Sequence, residues 1–251
     1  MADLVKLEIK KIFSKKDIML ILGVLILVPV IFSICIVNKI GGLDFGGQIS
    51  IADYGLMIWS FLKYLFVLYL VPIYIACSFI GREIENRSIN IMLSNELRTK
   101  VIASKVITYT MIITAFFILF QLSSILSYLV FVQNSELYMA VDTTFVQGIF
   151  IYLFQWLEMM FVLAISAFFC SIIKGNAALV LGLGVIIIEK VLINIDAIKK
   201  VIPSYISDYS SYFQIEPDKL MQSNLFSLGV YMVIIIFFTA VTMNIWRTRD
   251  F

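Results

Sequence analysis

Glu158 and Gln155 lie three residues apart inside a long apolar run, so a helix places both on one face. An ionisable group at the centre of a bilayer costs about 2.5–3.5 kcal/mol on insertion scales, so it is kept where it pairs or serves a path. Two readings of this pair stay open. It lines the interior or a seam between two copies of the chain, or Glu158 is a protonated or hydrogen-bonded group that holds helices together. Lys63 is a third polar residue, about two turns into another apolar run, and its long stem can carry the ammonium out to the headgroups. Glu189 and Lys190 fall near the end of an apolar run, where an interfacial role is expected.

Covalent chemistry finds no support in the residue types. The chain has no histidine, which removes imidazole bases and imidazole metal ligands. It has no Gly-rich phosphate loop, no zincin motif and no nucleophile elbow. An intramembrane aspartyl protease needs paired aspartates within its spans, whereas Asp44, Asp53, Asp142, Asp196 and Asp208 fall in expected loops. Cys35, Cys77 and Cys170 sit in apolar stretches at no zinc spacing and read as small buried residues. The expectation is therefore a non-enzyme with no catalytic residue, no metal and no cofactor of its own.

The elements that position these residues follow from composition. Of 251 residues, 61% are hydrophobic and 14% charged, against roughly half and a quarter in soluble domains. A bilayer core takes about 20 apolar residues per helix. The apolar runs predict an all-α membrane protein, a single transmembrane domain over 1–251 with six spans at about 18–37, 56–80, 101–132, 145–173, 177–195 and 225–246. The first run is too long for a signal-peptide core and has no small-residue cleavage site after it, so it reads as an uncleaved span. Before it, Val5, Ile9, Ile12 and Phe13 make one apolar stripe among Lys6, Lys10, Lys11, Lys15 and Lys16, the pattern of an amphipathic interfacial helix. Gly41, Gly42, Gly46 and Gly47 predict a short irregular loop. Pro203, Pro217 and the aromatics Tyr205, Tyr209, Tyr212 and Phe213 predict short extracellular interfacial helices between the fifth and sixth spans. Gly182 and Gly184 read as points of close helix approach.

Basic residues in short loops favour the cytoplasmic side. With the N-terminus inside, thirteen of the 19 lysines and arginines fall on the inner side, and five (Lys39, Lys190, Lys199, Lys200 and Lys219) fall outside. Both termini are then cytoplasmic, as an even number of spans requires.

The inner stretch between the second and third spans carries Glu83, Glu85, Arg87, Arg98, Lys100 and Lys105, with Ile89, Met92, Leu93 and Leu97 on one helical face. This segment resembles the cytoplasmic coupling helix of ABC type-2 permeases, the membrane subunits of export-type ATP-binding-cassette transporters. Glu83 and Glu85 match the family's acidic positions, Met92 and Leu93 its apolar turn, and Arg98 and Lys105 its basic positions. Arg87, Ser88 and Glu96 stand where glycine, threonine and proline are usual. The layout resembles the family over nearly the full length. The resemblance implies that Glu83, Glu85, Arg87, Ile89, Met92, Leu93, Leu97 and Arg98 form the ATPase-coupling surface. It implies as partners a separate cytoplasmic ABC ATPase subunit that binds the ATP, and a second permease copy or related permease, in a bacterial cell membrane. Export of, or immunity to, an antimicrobial peptide or antibiotic is the expected transport role, and no nucleic-acid partner is expected. The alternative is an ATPase-independent membrane channel or scaffold.

Overall fold

Backbone amides in hydrocarbon have no water to bond, so each apolar run must close its hydrogen bonds within itself. The chain does this as helices, with no strand among the described residues. A computed structural model describes residues 1–40, 47–86, 98–139, 145–173, 175–208 and 219–248, with backbone alone at 98, 99, 145–147 and 175.

Helix α1, Ala2–Phe13, is the expected amphipathic helix, and α2, Lys16–Val37, covers the first apolar run. Helix α3, Ile51–Tyr64, is capped by Ser50, whose hydroxyl accepts from Asp53 N at 3.1 Å. Helix α4, Val67–Ile75, runs through a π-helical stretch, Ala76–Gly81, into the short α5, Arg82–Glu85. Then come α6, Arg98–Ser127, prolonged by π-helical Tyr128–Val132; α7, Phe145–Ile172; and α8, Gly175–Leu192. A 3₁₀ turn, Lys199–Val201, and α9, Pro203–Ile206, precede α10, Leu220–Thr248.

Among the described residues five stretches are long and apolar enough to cross a membrane: Lys16–Val37, Val67–Glu85, Lys100–Val132, Gly148–Ile172 and Leu220–Thr248. The expected fifth span falls on α8, which is not one of the five, so the described residues carry five candidate spans where the sequence predicts six. The central members are Val67–Glu85 and Gly148–Ile172, 72% and 67% buried in their apolar windows. Lys16–Val37 and Leu220–Thr248, at 28% and 17%, are apolar on nearly every side, as helices facing lipid are. Helix α7 is the hub, packed against α4, α8 and α10, while α6 carries α1 and α2.

The expected second span differs most from the structure. Instead of one helix over 56–80, the chain breaks at Leu65–Phe66, and Phe66 takes a left-handed backbone at φ 61°. That conformation costs a residue with a Cβ roughly 1–2 kcal/mol. The break swings Lys63, the penultimate residue of α3, toward α7, and the contacts made there hold it. Polar ties across helices accompany the packing: Ser123 Oγ donates to Ile26 O at 2.7 Å, and Tyr54 Oη to Pro29 O at 3.1 Å.

Candidate functional site

Glu158 and Glu189 each lie 14 residues from the near ends of their helices, Ile172 and Gly175. At 1.5 Å per residue this puts both about 21 Å along the bundle, at one depth. Here "near" denotes the end that carries α1, and "far" the opposite end.

At that depth α3, α4, α7, α9 and α10 converge on one polar cluster. Lys63 Nζ is 3.1 Å from Glu158 Oε2, both side chains almost wholly buried. The ammonium also donates to Ser204 O at 2.8 Å and to Ser207 Oγ at 2.5 Å. Glu158 accepts from Tyr69 Oη at 2.6 Å on one oxygen and from Ser207 Oγ at 2.5 Å on the other. Tyr231 Oη, on α10, donates to Pro203 O at 2.6 Å, and Tyr64 Oη to Asp208 Oδ1 at 3.0 Å. The segment after α8 is thus folded back onto the interior and fixed there by hydrogen bonds to a buried ion pair and to Tyr231. A buried charge pair is tolerated only when its remaining lone pairs and protons are also bonded, and here they are.

The structure therefore brings together two of the three intramembrane polar residues expected from sequence. Lys63 does not reach for headgroups; it turns inward to Glu158. Gln155 is fully buried one turn from Glu158, and neither its Nε2 nor its Oε1 has a hydrogen-bond partner. Glu189, expected to meet water, is 6% exposed. Tyr69, Ser204, Ser207 and Tyr231 were not singled out from sequence. A tyrosine or serine in an apolar run carries little cost by itself, so nothing marks it until its partner is known.

A second ionic cluster ties the near end. Lys105 of α6 lies 2.7 Å from Glu8 Oε1 of α1 and 2.6 Å from Glu83 Oε2 of α5, and Lys11 also pairs with Glu83. Glu8 is fully buried and Glu83 nearly so. Lys15 Nζ donates to Ser78 O at 3.3 Å and stands 4.1 Å over the Phe79 ring. Glu8 does have a sequence signal. It lies three residues after Val5 and four before Ile12, on the apolar stripe itself, where a charge requires a partner. Of the expected coupling residues, Glu83 faces α1 and α6, and Glu85 lies at the end of α5. Arg87, Ile89, Met92, Leu93 and Leu97 lie outside the described residues, and Arg98 opens α6 with its backbone alone described.

Between α6, α7 and α10 lies a crevice of 230 Å³ whose walls include Tyr109, Trp156, Met160, Ala164, Met232 and Trp246. No group of His, Cys, Asp and Glu side chains among the described residues can hold a metal ion. The polar clusters join helices. No protein-family model matches the chain, and no curated protein matches it.

Proposed function

We propose that this chain is the membrane-spanning permease subunit of an ATP-binding-cassette exporter, with six spans and both termini in the cytoplasm. In this reading the near end faces the cell interior and the far end faces outside. The coupling helix lies between Glu85 and Arg98, and a separate cytoplasmic ATPase grips it. A second permease, identical or related, completes the path, and an antimicrobial peptide or antibiotic is its cargo.

The observation that carries this reading is the bracing of the two stems of that segment. Glu83 at its entry and Lys105 just past its exit are paired at 2.6 Å, and α1 is tied to both through Lys11 and Glu8. A loop that takes force from a motor needs a stiff base. Ion pairs that link α1, α5 and α6 supply one, so that a push on the loop moves α4 and α6 together. An apolar helix face seated in a partner's groove then transmits the push, and the spans open by a gating motion.

The test is first whether an ABC ATPase is encoded beside this gene, and then co-purification with that ATPase for the native chain and for Ile89→Asp and Leu93→Asp. Both substitutions are expected to abolish association while the variants still insert in the membrane. Association that survives both substitutions removes the coupling role.

A further inference from the structure

The crevice between α6, α7 and α10 is long for its volume. Its wall on α10 is one helical stripe, Met232, Ile235, Thr239, Thr242 and Trp246. From Met232 to Trp246 is fourteen residues, about 21 Å of helix. A volume of 230 Å³ spread over that length makes a narrow channel. Helix α10 packs closely on α7, whereas α6 touches either of them much less, so the channel is the gap that keeps α6 apart.

The near end of the channel is bounded by Ile80, Ile102, Lys105 and Trp246. Lys105 is held there by Glu8 and Glu83, and Trp246 Nε1 donates to Ser171 Oγ at 2.5 Å. At the far end stand Trp156 and Met232, and Trp156 Nε1 donates to Thr114 Oγ1 at 3.0 Å. Both indole N–H groups are taken up elsewhere, so what the two rings offer the channel is carbon. The long side is open. Val106 and Thr110 on α6, and Met232, Ile235 and Thr239 on α10, keep part of their surface exposed and mark the mouth. Both helices lie in stretches long and apolar enough to cross a membrane, so in a bilayer the mouth opens sideways onto lipid.

Walls with no atoms against them forfeit their dispersion contacts, and the shape of the channel says what restores them. A lipid chain is a flexible thread. One leaflet of the hydrocarbon core is about 15 Å deep, half of about 30 Å, so a chain of that leaflet fits within the channel. The wall also gives it a direction. Lys105, Tyr109 and Thr242 lie in the near half, whereas Trp156, Leu157, Met160, Met232 and Ile235 line the far half with apolar side chains. Tyr109 Oη is buried without a hydrogen-bond partner among the described residues. It offers a donor at the end where a lipid carries its ester carbonyls.

We propose that this crevice is a binding site for one acyl chain of a membrane phospholipid. The chain enters sideways between α6 and α10, with its glycerol end at the near end and its terminal methyl against Trp156 and Met232. The exporter reading is not required for this; the site needs only that the bundle sits in lipid.

Helix α7 supplies the readout that separates this site from lipid at large. Every residue from Leu157 to Ser166 is buried, and Leu157, Met160, Leu163 and Ala164 line the crevice. Bulk lipid around the bundle therefore has no other way to reach that stretch. The full chain is placed in nanodiscs containing a phosphatidylcholine with a diazirine either at the chain terminus or next to the ester. On irradiation the diazirine loses N₂, and the carbene inserts into whatever C–H bond lies against it. Digestion and mass spectrometry then locate the adducts. The terminal probe is expected on 156–160, and the ester-side probe on 163–167. Both probes are expected on the exposed Leu20, Leu27 and Ile31 of α2, which report bulk lipid. Thr239→Trp sets an indole in the mouth and is expected to abolish labelling of α7 while that of α2 persists. Val106→Trp does the same from the opposite lip, should the first variant fail to fold. No adduct on 157–166 with either probe, the two probes in reversed order along α7, or labelling of α7 that survives a plugged mouth overturns the proposal.

Discussion

Lys63 and Glu158 meet at 3.1 Å between α3 and α7, with 1% and 2% of their side chains exposed. Removing one partner of a buried ion pair strands the other charge and costs about 3–5 kcal/mol, whereas replacing both by apolar residues of similar size is often neutral. Lys63→Met and Glu158→Leu are therefore expected each to lower the unfolding midpoint sharply in detergent micelles, and the double variant to regain most of the loss. A double variant as unstable as the singles shows that the pair is not what holds α3 to α7.

The near-end cluster makes a parallel expectation with a different readout. Lys105 serves two carboxylates, Glu8 and Glu83, from α1 and α5. Lys105→Met leaves both buried acids without it and is expected to release α1, seen as new protease cleavage within residues 2–13. Glu8→Gln removes a charge but keeps a polar head, so it is expected to cost about 1–3 kcal/mol. Because the two residues touch, their effects are expected to be non-additive by about 0.5–3 kcal/mol in a double-mutant cycle. Strict additivity contradicts a direct Glu8–Lys105 contact.

Legibility in the sequence follows what each residue reports about itself. An unbroken apolar run reports its own need for a helix, so α2, at Lys16–Val37, and α7, at Phe145–Ile172, fall within two residues of the expected 18–37 and 145–173. The break at Leu65–Phe66 has no such mark, because both residues are apolar and no glycine supplies the left-handed turn. A lone charge in a run reports its cost and not its partner. Lys63 and Glu158 could thus be flagged singly but not joined, and the serines that complete their bonding could not be flagged at all. Glu83 shows the same limit from the other side. Its charge and position suit a surface for a partner, yet Lys11 and Lys105 meet it from within the chain.

Gly55 gives an expectation whose sign depends on a second residue. A Cβ at this position stands 2.7 Å from Tyr152 Oη and 3.1 Å from Gln121 Oε1. Tyr152 Oη donates to Ala52 O at 2.8 Å, so the hydroxyl cannot retreat without losing that bond. Gly55→Ala is expected to destabilise by about 1–3 kcal/mol through overpacking, less the roughly 1 kcal/mol that alanine gains over glycine in a helix. In a Tyr152→Phe background the obstructing oxygen is gone, and the same substitution is expected to be neutral or stabilising. Equal effects in both backgrounds rule out the Tyr152 contact as the cause.

Gly182 and Gly184 both look like packing glycines in the sequence, and the structure separates them. A Cβ on Gly182 meets Ser166 Oγ at 3.3 Å and Ile73 at 3.5 Å, where α8 passes close to α7 and α4. On Gly184 a Cβ meets nothing within 4 Å among the described residues. Only the first position needs a missing side chain. Gly182→Leu must force α8 away from its neighbours and is expected to cost about 1–3 kcal/mol. Gly184→Leu points into open space and removes a poor helix former, which is expected to raise stability by a few tenths of a kcal/mol up to roughly 1. Thermal unfolding of the two variants in the same micelle reads the difference directly. If leucine is tolerated at both positions, α8 does not approach α4 and α7 as closely as 3.3–3.5 Å implies.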